Sequence, residues 1–137
     1  GIARFLHGSP NVPALYAARE GYRVINEIGV ASIREKSVRQ TQRLVELCEE
    51  AGFAVTSPRD PQQRGGTITV AAAHAASVTK ELVRREIICD YRPGAGIRLS
   101  PHFYTTDEEL ERAVAELRRI VETRAYAAHD SAAGAAF

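Results

Sequence analysis

The hydrophobic period of this chain changes at Gly52, and few folds accommodate both halves. Before Gly52 the pattern is helical. Thr41, Leu44, Val45, Leu47, Cys48 and Ala51 recur on one face of a helix predicted over 33–51. Ser32 and Glu35 have capping-box spacing at its start, and Gly52 suits its end. Ala14, Leu15, Ala17, Ala18, Tyr22, Val24, Ile25 and Ile28 predict an earlier helix over 12–29, weakened by Gly21. The two helices join through Gly29-Val30-Ala31, as one long bent helix or an elbow.

After Gly52 the apolar runs are short and bounded by turn residues. Residues 53–56, 67–70, 87–90 and 97–99 read as strands, and 75–85 as a helix. Pro93, Gly94 and Gly96 mark a hairpin turn, and Thr106 with Glu109 forms a second capping box. The helix it opens carries Leu110, Ala113, Val114, Leu117, Ile120 and Val121 on one face. The order predicts an α+β fold. A small, mostly antiparallel sheet of three or four strands has helices packed on one face, preceded by a long bent helix or helix pair. The unit from strand 67–70 through the helix to strand 87–90 reads as a crossover. Three segments follow: a linking segment 1–31, a domain 32–123, and a frayed tail 124–137, rich in alanine and glycine.

At 137 residues the chain can bury one core. A net charge of +1, with Lys and Arg mixed among acids, gives no basic stripe for nucleic acid or an anionic membrane. No apolar run is long enough to span a bilayer. Cys48 falls on the apolar face of a helix and Cys89 inside a strand, with no CxxC and no His/Cys cluster. That predicts buried structural thiols in a reducing, cytoplasmic setting and no metal site. With no methionine and Gly1 first, the sequence reads as a piece of a longer protein.

The residue with the clearest chemistry is Arg98, on the apolar strand 97–99. A guanidinium stays charged at any working pH, and its planar fork suits a carboxylate. Two readings stay open: a carboxylate anchor, or a sheet-edge arginine paired with an acid such as Asp90. Gly8-Ser9-Pro10 precedes a helix and could present N–H groups and a hydroxyl to phosphate; taken alone, an ordinary N-cap explains it better. Arg64-Gly65-Gly66 is one copy without aromatic neighbours, a loop entering a strand rather than an RNA element. Gly94-x-Gly96 lacks the third glycine of a dinucleotide fingerprint. His7, His74, His102 and His129 lack metal-ligand spacing, though His102 lies close to Arg98 in sequence. Lys36 and Lys80 fall on helices among charged neighbours, and no serine or cysteine sits in a nucleophile elbow. The chain therefore holds binding groups and no assigned catalytic residue.

Arg4-Phe5-Leu6-His7-Gly8-Ser9-Pro10 resembles the Arg-Phe-x-x-Gly-Thr-Pro segment of class V aminotransferase-superfamily enzymes, which are pyridoxal-phosphate enzymes of fold type I. The run from Ile97 to Glu109 is similar to their closing motif, with its Tyr-Asn-Thr-x-Glu-Glu ending; Thr105 stands where Asn is usual. Within the superfamily, Asp90-Tyr91-Arg92-Pro93 resembles kynureninases, which carry Asp-aromatic-Arg shortly before the same arginine, and Arg64-Gly65-Gly66 sits where they carry Arg-Gly. The Ser-Pro-His-Phe-Tyr ending departs from their Pro-Leu-Tyr form. Cysteine desulfurases fit less well, because no catalytic-cysteine loop lies between the third and fourth strands.

The resemblance implies the C-terminal part of such an enzyme. Residues 1–31 would close the large domain and 32–123 form the small one. Arg98 would bind the substrate's α-carboxylate. Gly8 and Ser9 would touch the phosphate of pyridoxal phosphate across a homodimer interface. The cofactor-binding lysine, the residue stacked on the ring and the aspartate at its pyridine nitrogen would lie upstream, so the fragment alone would be inactive. Its partners would be an amino-acid substrate, the upstream large domain and a second subunit. Two other readings compete: a stand-alone regulatory module that binds a small acid, and a dimerisation domain with 12–29 and 33–51 as its interface.

Overall fold

The computed structural model describes residues 4 and 8–130. Phe5, Leu6 and His7 of the first motif, and 131–137 of the expected tail, lie outside the described residues. The chain divides into two units, Gly1–Ile33 and Arg34–Phe137.

In the first unit, helix α1 (Val12–Ile28) starts at Asn11, whose side chain accepts the Ala14 N–H at 3.1 Å. The cap is therefore Asn11 rather than Ser9. Gly29 ends α1 at φ 87°; its N–H donates to the Ile25 carbonyl at 2.9 Å. Its own carbonyl accepts the Ile33 N–H at 3.1 Å, which starts the next helix without a side-chain cap. Helix α2 (Val30–Glu50) thus begins three residues before the expected start. Ser32 and Glu35 lie inside it, so the expected capping box is displaced by the glycine junction.

In the second unit, strands β1 (Ile68–Val70), β2 (Asp90–Arg92) and β3 (Gly96–Leu99) form one antiparallel sheet in the order β1-β3-β2. Helix α3 (Ala75–Arg84) connects β1 to β2, and helix α4 (Asp107–Thr123) follows β3. The Thr106–Glu109 capping box forms, with both reciprocal bonds present. Ile68 and Val70 of β1 and Ile97 and Leu99 of β3 point to one face, where helices cover them. Leu44, Val45 and Cys48 of α2, Val78 and Leu82 of α3, and Leu110, Val114, Leu117 and Ile120 of α4 complete the core.

Two expected strands change. Residues 53–56 make a single bridge, Val55 with Val70. The ladder would continue through the Thr69 N–H, but the Ser57 hydroxyl accepts it at 2.8 Å and the chain leaves the sheet there. The strand expected at 87–90 pairs instead over 90–92. The turn at Pro93-Gly94-Ala95 sets Asp90 opposite Arg98, and Ala95 N–H donates to Arg92 at 3.0 Å. In that register Ile87 would face Pro101, which has no N–H to give. Cys89 consequently lies just ahead of β2 rather than inside a strand, and Ile88 is 95% exposed.

Glu81 is 3% exposed. Its carboxylate accepts from Arg84 at 2.8 and 2.7 Å and from Arg85 at 2.9 Å, while Arg85 also donates to Glu116 of α4 at 2.6 Å. Residues 124–130 end in a short helix, α5 (Ala127–Asp130), that contacts α3 and the residue before it. His129 Nε2 lies 2.9 Å from Glu81, His74 Nδ1 lies 3.1 Å from Asp130, and Tyr126 stacks on His74 at 4.7 Å.

Two predictions test this packing. Gly96 adopts φ 112°, and a Cβ there would run into the Val70 carbonyl. Gly96→Ala is expected to lower unfolding free energy by at least ~3 kcal/mol in urea titration. Gly94→Ala, at φ 78° but in open space, should cost only about 1 kcal/mol. Arg84 and His129, against burial and with further help from Arg85, hold the Glu81 carboxyl well below its ordinary value near 4.5. A depressed native pKa adds stability above the unfolded value, which is lost as pH falls below it. Glu81→Gln should therefore cost about 2 kcal/mol at pH 7, less than a fully buried pair because Arg84 is mostly exposed. It should also flatten the fall in stability below about pH 4.5 in denaturant titrations.

Candidate functional site

A strand turns successive side chains to opposite faces. With Ile97 and Leu99 in the core, Arg98 must stand on the other face of β3. The register places Thr69 of β1 and Asp90 of β2 directly beside it. These three residues make one polar row across all three strands, on the face the core helices leave uncovered. Arg92, two residues along β2, shares that face.

Arg98 Nε donates to Asp90 Oδ1 at 2.8 Å and Nη2 to Oδ2 at 2.7 Å. Arg92 Nη2 reaches the same Oδ2 at 2.6 Å. Arg98 and Asp90 remain 38% and 39% exposed, so the pair is not sealed. Partial burial pushes the Asp90 carboxyl up, but Arg98 and Arg92 outweigh it and hold the group below its ordinary range. Two guanidiniums against one carboxylate leave this patch with one net positive charge. Beyond Thr69 lie two more hydroxyls. Thr56 Oγ1 is 2.6 Å from Thr69 Oγ1, and Ser57 Oγ is 2.9 Å from it. The patch can hold an anion by charge and a polar ligand by its hydroxyls.

Both arms of the sequence reading of Arg98 thus meet in one geometry: the Asp90 pair forms, and the arginine still faces solvent. The other candidates go elsewhere. His102 is not brought to Arg98. Its ring sits tilted against Phe103 and Tyr104, each at 4.4 Å, and lines a groove of about 450 Å³ with Leu99, Pro101 and Ile88. Arg64 is 4% exposed and braces its own loop, donating to the Pro58 and Arg59 carbonyls at 2.9 and 3.0 Å. Cys48 is buried and Cys89 half-buried; burial pushes both thiols up to about 11, with Asp90 adding to Cys89. Both are therefore protonated and unreactive near neutral pH.

Gly8 (φ 91°) and Ser9 are exposed and belong to the first unit, just ahead of α1. A glycine, a hydroxyl and a helix start have the chemistry to meet a phosphate oxygen, so these residues fit that group. Lys36 Nζ donates to the Phe103 carbonyl at 2.7 Å, and Lys80 is exposed on α3. Both lie in the helical layer, away from the Arg98 row. Among the described residues no cluster of three metal-ligating side chains occurs, and no helix is long and apolar enough to cross a membrane.

Sequence reasoning missed the braces. Gln40, buried on α2, donates to the Thr105 carbonyl at 2.8 Å and with Lys36 fixes the loop after β3. A glutamine beside Thr41 on an apolar helix face was the available signal. Thr69 was also missed, although strand alternation puts it in line with Arg98.

Comparison with known proteins places the chain in a family. The kynureninase of Bacillus thuringiensis subsp. konkukian (strain 97-27) is 30% identical over 124 residues, which cover 87% of this chain and 29% of that protein. The uncharacterized aminotransferase YcbU of Bacillus subtilis (strain 168) is 31% identical over 114 residues, 83% of this chain and 30% of its own length. The chain thus spans about three tenths of these relatives. Among solved structures, the apo cysteine desulfurase of Thermococcus onnurineus NA1 superposes with a TM-score of 0.78 at 22% identity. That match covers 88% of this chain and 34% of that one, and it shows a shared fold. Residues 33–117, more than half of the chain, match the kynureninase C-terminal domain family, and the chain belongs to that family.

Proposed function

We propose that this chain is the small domain of a pyridoxal-phosphate enzyme of amino-acid metabolism, a kynureninase-like hydrolase or a class V aminotransferase, in which Arg98 reads the substrate's α-carboxylate. The observation that carries this is a solvent-facing arginine on the uncovered face of the sheet's central strand, inside a patch of net positive charge. Family membership and the kynureninase and aminotransferase relatives support the enzyme class.

In this reading, residues 1–31 close the large domain, 32–123 form the small domain, and 124–137 follow it as a tail. The division of the chain near Ile33 supports that boundary. Leu15, Tyr16 and Tyr22 of α1 are exposed, as befits a helix covered by more protein. Gly8 and Ser9 contact the cofactor phosphate across a homodimer interface. Arg98 binds the carboxylate and so fixes which bond at the substrate's Cα stands over the cofactor. Pyridoxal phosphate, when bound, supplies the electron sink. Without the upstream lysine and ring contacts, this chain alone is inactive. Its unreactive thiols suit the cytoplasm.

The test uses the full-length enzyme, in a screen of amino acids that begins with kynurenine. Arg98→Ala should raise KM for the best substrate about 100-fold, because a bidentate charge-assisted contact is lost. Arg98→Lys should recover part of the loss. An unchanged KM in Arg98→Ala overturns the assignment.

A further inference from the structure

The Arg98 guanidinium has two edges that can each seat a carboxylate. Asp90 holds the side edge, through Nε and Nη2. The end edge is formed by Nη1 and the second hydrogen of Nη2. Nη1 has no hydrogen-bond partner among the described residues, and it is not one of the buried unpartnered atoms, so it meets solvent. Resting on the reading of Arg98 as the carboxylate reader, we infer that Asp90 is a positioning residue: it clamps the side edge of Arg98 and presents the end edge as the seat for the substrate's carboxylate.

Three features support the clamp. Asp90 sits directly opposite Arg98 in the ladder, so its own position is set by the hairpin. Arg92 holds Asp90 Oδ2 from the other side at 2.6 Å, so the carboxylate cannot swing freely. The paired guanidiniums keep Asp90 ionised through the working pH range. A free arginine side chain is flexible and loses rotamer entropy when it binds. With one edge already fixed, the plane of the fork is set before the ligand arrives. The two carboxylates then share one guanidinium without competing for the same hydrogens. Arg92 supplies the second positive charge that keeps the patch attractive to an anion.

A different role for Asp90 would give the opposite outcome. As an internal plug, it would have to leave before substrate could bind, and its removal would lower KM. The experiment is steady-state kinetics on the full-length enzyme carrying Asp90→Asn, alone and with Arg98→Ala. Asp90→Asn is expected to raise KM about tenfold with kcat within about threefold, since misaiming a binding group weakens ground-state and transition-state contacts alike. In the Arg98→Ala background the same change should alter KM less than twofold. A merely structural residue would act equally in both backgrounds. An unchanged or lowered KM for Asp90→Asn, or an equal rise in both backgrounds, overturns the proposal while leaving the Arg98 reading intact. If Arg98→Ala itself leaves KM unchanged, the reading beneath the proposal has failed instead. Should Asp90→Asn not fold, Asp90→Glu keeps the charge and displaces the carboxylate by one methylene. It is expected to raise KM at least about threefold, and wild-type KM overturns the proposal.

Discussion

β3 is the central strand of the sheet, and its side chains alternate between two unlike environments. Ile97 and Leu99 are buried under the helices, and Arg98 between them faces the uncovered side. A slip of one residue would bury a guanidinium and expose two aliphatic side chains, so the core itself forbids the slip. Gly96 adds a second lock, because the Val70 carbonyl packs where a side chain would begin. The position of Arg98 is thus a consequence of hydrophobic packing. Both neighbours of β3 are paired along its length, which gives the site the rigidity of a sheet interior rather than that of a loop.

The connecting loops are fixed from the helical side. Gln40 and Lys36 of α2 hold the carbonyls of Thr105 and Phe103 after β3. Arg34 of the same helix reaches the carbonyls of Pro61 and Arg64 before β1, at 2.7 and 3.0 Å. Arg64 meets only neutral acceptors: two loop carbonyls and, at 3.4 Å, the Gln42 side chain. Its Nε is buried with no hydrogen-bond partner among the described residues, so this guanidinium is costly unless the loop it orders is useful. Here that loop ends at Ser57, whose hydroxyl caps the Thr69 N–H at the edge of the Arg98 row. α2 therefore does more than fill the core. It sets both loops that border the sheet.

Features governed by near neighbours were legible. Thr106 and Glu109 announced α4, because a capping box needs only four residues. The buried faces of α2 and α4 followed from helical spacing, and the Arg98–Asp90 pair from strand alternation and a short hairpin. Features governed by distant partners were not. Ser32 and Glu35 mimic a cap, but the Gly29 carbonyl had already started the helix. Ile87 and Ile88 look like strand, but the turn at 93–95 and Pro101 decide where pairing begins. His102 is close to Arg98 in sequence and separate from it in space, because the chain leaves the sheet after Leu99 and enters the groove. Arg34 holds the Arg64 carbonyl across a sequence separation of 30, beyond the reach of any periodicity argument.

An arginine that already holds an aspartate can look spent as a ligand-binding group. Its electrostatics argue otherwise. Two bare guanidiniums on adjacent strands would repel one another and swing apart. One guanidinium fully matched by one carboxylate would present no net charge to an incoming anion. The observed set, Arg92 and Arg98 around Asp90, lies between these limits. It is cohesive enough to fix geometry and positive enough to attract. In the role proposed for Arg98, the open edge selects by shape. Two parallel N–H bonds match the two oxygens of a planar carboxylate, whereas a neutral amide brings its own N–H groups against one of those donors. In that role, the internal ion pair turns a flexible cation into a directional receptor.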